Sequence, residues 1–229
     1  MNRDVQLANQ YNEVKSTIDR LGKNKVSILC VSKTYPWEDI AALQNHGVTM
    51  FGENRAQEAE EKLAQKNLSG LELHFIGHLQ RNKVKKVIPY FSWIDSVDSM
   101  KLLKEIHKHT TQEGKTMNIL FEVNTSQEIQ KHGFLNVQEL EECLQEAIAM
   151  DFIVPRGLMT VGPLTNDPAD SIRAFAKLKK LFDTLGTKYT MDQWNTLSMG
   201  MSDDYTEAIQ EGSTMVRIGS KIFGTRNYG

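Results

Sequence analysis

Cysteine is nearly absent from this sequence. Only Cys30 and Cys143 occur among 229 residues, with no CxxC pair and no ligand spacing to histidine, so neither a disulfide framework nor a metal site is expected. Long hydrophobic runs are missing as well: nothing approaches the roughly 18 consecutive apolar residues of a membrane span. The N-terminal stretch MNRDVQLANQYNEV is polar and lacks the apolar core of a signal peptide. A reducing cytoplasm is the expected compartment, with no membrane contact. Neither sign of charge dominates, with 27 basic residues against 29 acidic ones and a net charge of −2. That balance argues against a nucleic-acid partner. No linker, repeat or low-complexity tract interrupts the chain, and its 40% hydrophobic content can fill one large domain over residues 1–229.

What is present is a regular alternation. Short apolar, β-branched runs recur at Val26 to Val31, Val48 to Gly52, Leu73 to Gly77, Phe91 to Val97, Asn118 to Asn124, Arg156 to Val161, Thr196 to Met201 and Met215 to Gly219. Amphipathic helical patterns separate them, at Pro36 to Asn45, Asn54 to Gln65, Asn82 to Ile88, Ser99 to Thr110, Val137 to Met150, Pro168 to Leu185 and Asp203 to Gln210, with a further helix at Arg3 to Leu21. Near-continuous apolar strands suit a parallel sheet buried on both faces. The expected fold is therefore an α/β, (β/α)8 TIM-type barrel with an extra N-terminal helix, an open doubly wound sheet being the competitor. Little chain follows the eighth strand, so the N-terminal helix would cover the barrel bottom or stand in for part of the eighth helix. Asp167 and Pro168 read as the cap and first position of a helix.

In such barrels chemistry sits at the C-terminal ends of the strands. The small residues Ser198, Gly200, Ser202 and Gly219 after strands seven and eight could let backbone amides approach a phosphate, or simply relieve crowding. Arg217 lies between Val216 and Ile218; if those face the helices, it points into the barrel and needs an anion or acceptor there. An edge position or an internal salt bridge is the alternative. Lys33 directly follows strand one, which a closed barrel places beside strand eight. A lysine near a cationic arginine in a partly dry pocket has its pKa lowered, and the neutral amine attacks carbonyls. Otherwise it is ordinary solvated surface. His74 and His78 in HFIGH sit on a strand and its exit, not on a helix, so zinc chemistry of the HExxH kind is not supported. The basic run Arg81 to Lys86 reads as a solvated helix face. No Ser/His/Asp triad and no GxxxxGK[ST] loop is present.

The ordered motifs VSKT, FGENR.QE, HFIGHLQRNK, GLMT and LSMGMS.D followed by VRIG resemble those of the pyridoxal phosphate homeostasis protein family, single-barrel proteins similar to the N-terminal domain of bacterial alanine racemase. The resemblance runs from Val26 to Gly224. It implies pyridoxal 5′-phosphate as cofactor, Lys33 as its Schiff-base lysine and Arg217 facing the pyridine nitrogen. It also implies Asn54 on the cofactor face and a phosphate loop of Ser198, Met199 and Gly200 with the backbone at Ile218 and Gly219. Lys131 matches a second pocket lysine of many members. Two departures stand out: Tyr35 replaces the second lysine of the commoner SKTKP, and NTSQEIQKHG differs from the usual glycine-containing form.

An arginine at the pyridine nitrogen disfavours its protonation and makes the ring a weaker electron sink, which suits a carrier. The expected function is thus intracellular homeostasis of pyridoxal phosphate by buffering or delivery, with apo-enzymes as transient partners, in a monomer with no further catalysis. An amino-acid racemase using the same cofactor is the alternative, although the sequence stops at Gly229 without the second domain of alanine racemases. A cofactor-free Schiff-base aldolase is a third reading.

Overall fold

The computed structural model describes residues 2–21, 26–126, 128, 130–165 and 167–224. Each apolar run becomes a strand and all pairings are parallel, closing a barrel in sequence order: β1 (Ser27–Val31), β2 (Met50–Glu53), β3 (Glu72–Phe75), β4 (Trp93–Val97), β5 (Met117–Glu122), β6 (Ile153–Met159), β7 (Thr196–Met201) and β8 (Met215–Ile218). Closure comes from β1 lying against β8, with Leu29 opposite Arg217. The open-sheet alternative is thereby excluded. The connecting helices are α2 (Trp37–Asn45), α3 (Ala56–Leu63), a 3-10 turn (Arg81–Lys83) leading into α4 (Val84–Val87), α5 (Met100–Glu113), α6 (Val137–Ile148), α7 (Pro168–Tyr189), α8 (Tyr205–Gln210) and α9 (Ser220–Phe223).

The N-terminal helix α1 (Arg3–Leu21) packs between α2 on one side and α8 and α9 on the other. It takes the eighth-helix place in the outer ring, since among the described residues β8 is followed only by the short α9. Arg3 fastens it there, donating to Asp39 Oδ2 at 2.6 Å and to the Phe223 carbonyl at 3.0 Å. Asp167 caps α7 by accepting from the Ala169 amide, with Pro168 at the helix start.

Strand alternation divides burial into two layers. The larger layer lies between sheet and helices and holds Cys30, Phe51, Phe75, Val216 and Ile218. The smaller fills the barrel with Leu29, Trp93, Leu120, Met159 and Met215. Both cysteines are buried and unbridged, and burial raises both thiol pKa values, that of Cys143 to about 12. Among the described residues no helix is long and apolar enough to cross a membrane.

Strand β6 starts three residues before the expected Arg156. Pro155 hides this in the sequence, since it cannot donate to a ladder, and a bulge accommodates it: Ile119 faces Pro155 while the next residue, Leu120, faces Gly157. Gly157 has φ +150°, and a Cβ there would fall 1.8 Å from the Thr196 carbonyl oxygen. Gly157→Ala is expected to lower stability by about 3 kcal/mol or more through strain and loss of the β6–β7 contact. Urea unfolding of the two proteins measures this directly.

Candidate functional site

A cavity of about 420 Å3 opens at the C-terminal mouth, walled by residues following β1, β7 and β8 together with Ile76 after β3. Lys33, Tyr35, Ser202, Arg217 and Gly219 all face it. Small-molecule sites run to roughly 300–1,000 Å3, so the space suits a compact ligand.

The loop carrying Lys33 is tied down from both sides. Ser32 is fully buried; its amide donates to the Gly52 carbonyl and its hydroxyl to Glu53 Oε1 at 2.7 Å. Lys62 from α3 donates to that same carboxylate oxygen at 2.8 Å and to the Ser32 carbonyl at 3.0 Å. Beyond the lysine, the Thr34 amide donates to Glu58 Oε1 at 2.6 Å, and Thr34 itself holds φ +70°. That is a left-handed conformation a threonine adopts only where surroundings enforce it. Burial raises the Glu53 carboxyl above the usual range, opposed by the Lys62 charge and the two hydrogen bonds. Among the described residues, Glu53 Oε2 and Asn54 Oδ1 are buried polar atoms without a hydrogen-bond partner.

Arg217 points inward, opposite to Val216 and Ile218, as its flanking residues imply. It is 4% exposed. Its guanidinium donates to the Ser198 carbonyl at 3.0 Å, to the Ser198 hydroxyl at 2.8 Å and to the Thr160 carbonyl at 2.7 Å. Neutral acceptors fix it in place, so its positive charge is not cancelled by a contacting carboxylate. Burial pulls its pKa down, and the more distant charges of Asp95, Glu122 and Asp204 pull it back up.

Most residues of the expected phosphate loop do not line the cavity. Ser198 is buried and its hydroxyl is engaged by Arg217; the Met199 and Ile218 side chains point into the sheet–helix core. Gly200 holds φ +93°, and a Cβ there would lie 2.6 Å from Ala208 Cβ. The cause is a register shift in β7, where Ser198 faces Met215 but Met201 faces Arg217. Ser198 is left behind Arg217, and the wall is built by Met201, Ser202 and Asp203 with Gly219 and Ser220. Of that expected set only Gly219 lines the cavity. Asn54 also stands outside its walls, at the end of β2, where its carbonyl approaches Gly77. Tyr35 does line it, its hydroxyl donating to the Gly224 carbonyl at 2.7 Å.

A second cavity of about 240 Å3 adjoins the first, Ile76 bordering both; it is lined by Glu122, Lys131, His78 and His132. Burial lifts the Glu122 carboxyl to about 7, with Asp98 adding to the effect and Arg217 opposing it. Lys131 donates to Glu128 Oε1 at 2.6 Å and to the Gly162 carbonyl at 2.8 Å, so it clasps two mouth loops together. Residues 127 and 129 of the divergent NTSQEIQKHG segment lie outside the described residues. In the basic run after β3, Arg81 and Lys85 are exposed, whereas the part-buried Lys86 bridges to Gln57 and Glu60 on α3.

A sequence profile described as the N-terminal domain of alanine racemase matches residues 5–227. A pyridoxal phosphate homeostasis protein of Pasteurella multocida is 41% identical over 209 residues, covering 90% of this chain and 89% of that protein. The chain belongs to the pyridoxal phosphate homeostasis protein family. PipY of Synechococcus elongatus, solved with PLP bound, superposes with a TM-score of 0.86 at 30% identity over 96% of this chain and 100% of that one. An alanine racemase of Clostridium difficile reaches a TM-score of 0.75 at 17% identity and is covered over only 57% of its length. It shares the barrel fold. In this member of the pyridoxal phosphate homeostasis protein family, lysine, arginine and the small-residue wall thus meet at one mouth because β1 and β8 are neighbours.

Proposed function

We propose that this chain binds pyridoxal 5′-phosphate in the 420 Å3 cavity through Lys33 and serves its homeostasis by buffering or delivering it. The observation carrying this is that Lys33 and Arg217 face one cavity, whose wall also holds the small and hydroxyl residues Ser202, Gly219, Ser220 and Tyr35 beside apolar Val31, Ile76 and Met201 and the carboxylate of Asp203. The names of the relatives, and the PLP-bound state of PipY, support the same ligand. When bound, pyridoxal phosphate supplies an aldehyde for reversible condensation with an amine. Lys33 offers that amine from a loop held rigid by Glu53, Lys62 and Glu58. Arg217, fixed by three hydrogen bonds to neutral acceptors, would set a positive charge against the pyridine nitrogen and disfavour its protonation. Ser202, Gly219 and Ser220 would offer the phosphate hydroxyl and backbone donors, the Gly219 amide now donating to the Ser202 hydroxyl at 3.3 Å. The orphaned Asn54 Oδ1 is an acceptor beside the mouth for a donor from the ligand or water. We place the protein in the cytoplasm as a monomer, passing the cofactor transiently to apo-enzymes; its unbridged cysteines fit a reducing compartment.

Absorption titration tests the ligand. Pyridoxal phosphate is expected to give a near-visible band with the wild type, whereas free pyridoxal binds about 100-fold more weakly, as the loss of two hydrogen bonds to a charged group implies. Equal affinity for both would remove the phosphate wall from the account. Lys62→Met is expected to weaken retention about tenfold by freeing the Ser32 carbonyl and the Glu53 carboxylate. Lys62→Arg should restore most of it, a rescue readable in the same titration.

A further inference from the structure

Three successive strand exits converge beside the second cavity: His78 after β3, Asp98 after β4 and His132 in the loop after β5. One ligand atom from each lies within 4.8 Å of the other two. His78 Nδ1 stands 3.2 Å from Asp98 Oδ2, and the two imidazoles stack with centroids 3.6 Å apart, 10° from parallel. The HFIGH pair does not form this group, because His74 turns into the barrel, where its ring contacts Asp95 and Glu72.

We propose that His78, Asp98 and His132 bind a divalent first-row transition metal ion, zinc foremost. Two imidazoles and one carboxylate are a donor set that zinc, cobalt and nickel accept readily, whereas calcium and magnesium prefer all-oxygen sites. Tetrahedral zinc, with ligands at roughly 2.0–2.2 Å, holds its donors about 3.4 Å apart. The present spread closes to that value by rotation of side chains, since His78 and His132 are exposed and their mutual stacking opens toward solvent as they turn to a shared ion. Three protein ligands leave a fourth position open. His78 and His132 both line the 240 Å3 cavity, so a water molecule or an oxygen or nitrogen donor of a small ligand has room to complete the shell. A metal there sits next to the cavity of Lys33 without using any of its residues.

The test uses untagged full-length protein stripped with a chelator, with zinc binding measured by competition against a chromophoric chelator and cobalt binding by visible absorption. One zinc ion per chain is expected, with intense four-coordinate bands for cobalt. His78→Ala and His132→Gln should each weaken zinc binding by at least about tenfold, since even residues supporting a ligand carry effects of that size. Failure of the wild type to bind, or a stoichiometry and affinity unchanged in the double variant, overturns the proposal. Both substituted side chains are exposed, and circular dichroism reports whether the variants fold. The pyridoxal phosphate titration of the same variants is expected to match the wild type, which separates failure of the metal site from failure of the cofactor assignment.

Discussion

Lys33→Ala is expected to yield a folded barrel that shows no near-visible absorption with pyridoxal phosphate and loses the ligand on desalting. The side chain lines the mouth and is only part-buried, so its removal leaves the two apolar layers intact and changes stability by no more than about 0.5 kcal/mol. The loss is chemical: among the described residues no other lysine lines that cavity, and Arg217 cannot replace an amine because its guanidinium stays protonated. Thermal unfolding in parallel with the spectrum checks both halves. A variant that unfolds would place Lys33 in the architecture, and one that retains the band would place the attachment elsewhere.

The second large effect lies below the site. His74 is fully buried in the barrel, its Nδ1 3.0 Å from both carboxylate oxygens of Asp95, its Nε2 3.2 Å from Glu72 Oε1, and its ring stacked on Trp93 at 4.6 Å. Burial alone would lower its pKa, but the charge and hydrogen bonds of Asp95 and Glu72 win and raise it to about 9. His74→Leu leaves Asp95, itself fully buried, without its contacting countercharge, Arg217 acting on it only from farther away. Removing one partner of a buried ion pair costs about 3–5 kcal/mol. The pH dependence has a definite sign: a group with a raised native pKa stabilises fully below its unfolded value near 6.5, and that stability is lost as pH rises through about 9. Urea midpoints between pH 6 and 10 should therefore fall on the alkaline side for the wild type. For His74→Leu they should be low throughout and lack that step.

The barrel was legible because a sheet covered on both faces needs apolar strands, and eight such runs separated by helical patterns leave few arrangements. Boundaries were less so where one residue carries two messages. Pro155 reads as a strand breaker, yet the bulge at Arg156 lets β6 begin at Ile153. Gly186 reads as a helix end, yet α7 runs on to Tyr189, held by Trp194, whose Nε1 donates to the Phe182 carbonyl and whose ring stacks on Phe182.

Within the site, Arg217 was readable from its apolar neighbours, and Lys33 from strand order. Of the small residues after strands seven and eight, Ser202 and Gly219 line the cavity while Ser198 and Gly200 stand behind it, because a register shift inside β7 leaves no mark in a pattern of small side chains. The clamp of Glu53, Lys62 and Glu58 on the Lys33 loop was missed altogether. Lysine and glutamate on an amphipathic helix normally read as a solvated face, and only the approach of α3 to the Ser32 carbonyl shows otherwise. His132 escaped notice because its neighbours His78 and Asp98 are remote in sequence.

The most direct test of the account is to incubate the protein with pyridoxal phosphate, reduce with borohydride, digest, and locate the modified residue by mass spectrometry. The account predicts one pyridoxyl phosphate adduct per chain, on Lys33, at substoichiometric ligand. An adduct concentrated on Lys131 or spread over surface lysines would contradict it, since the cavity shared by Lys33 and Arg217 would then not be where the cofactor is held.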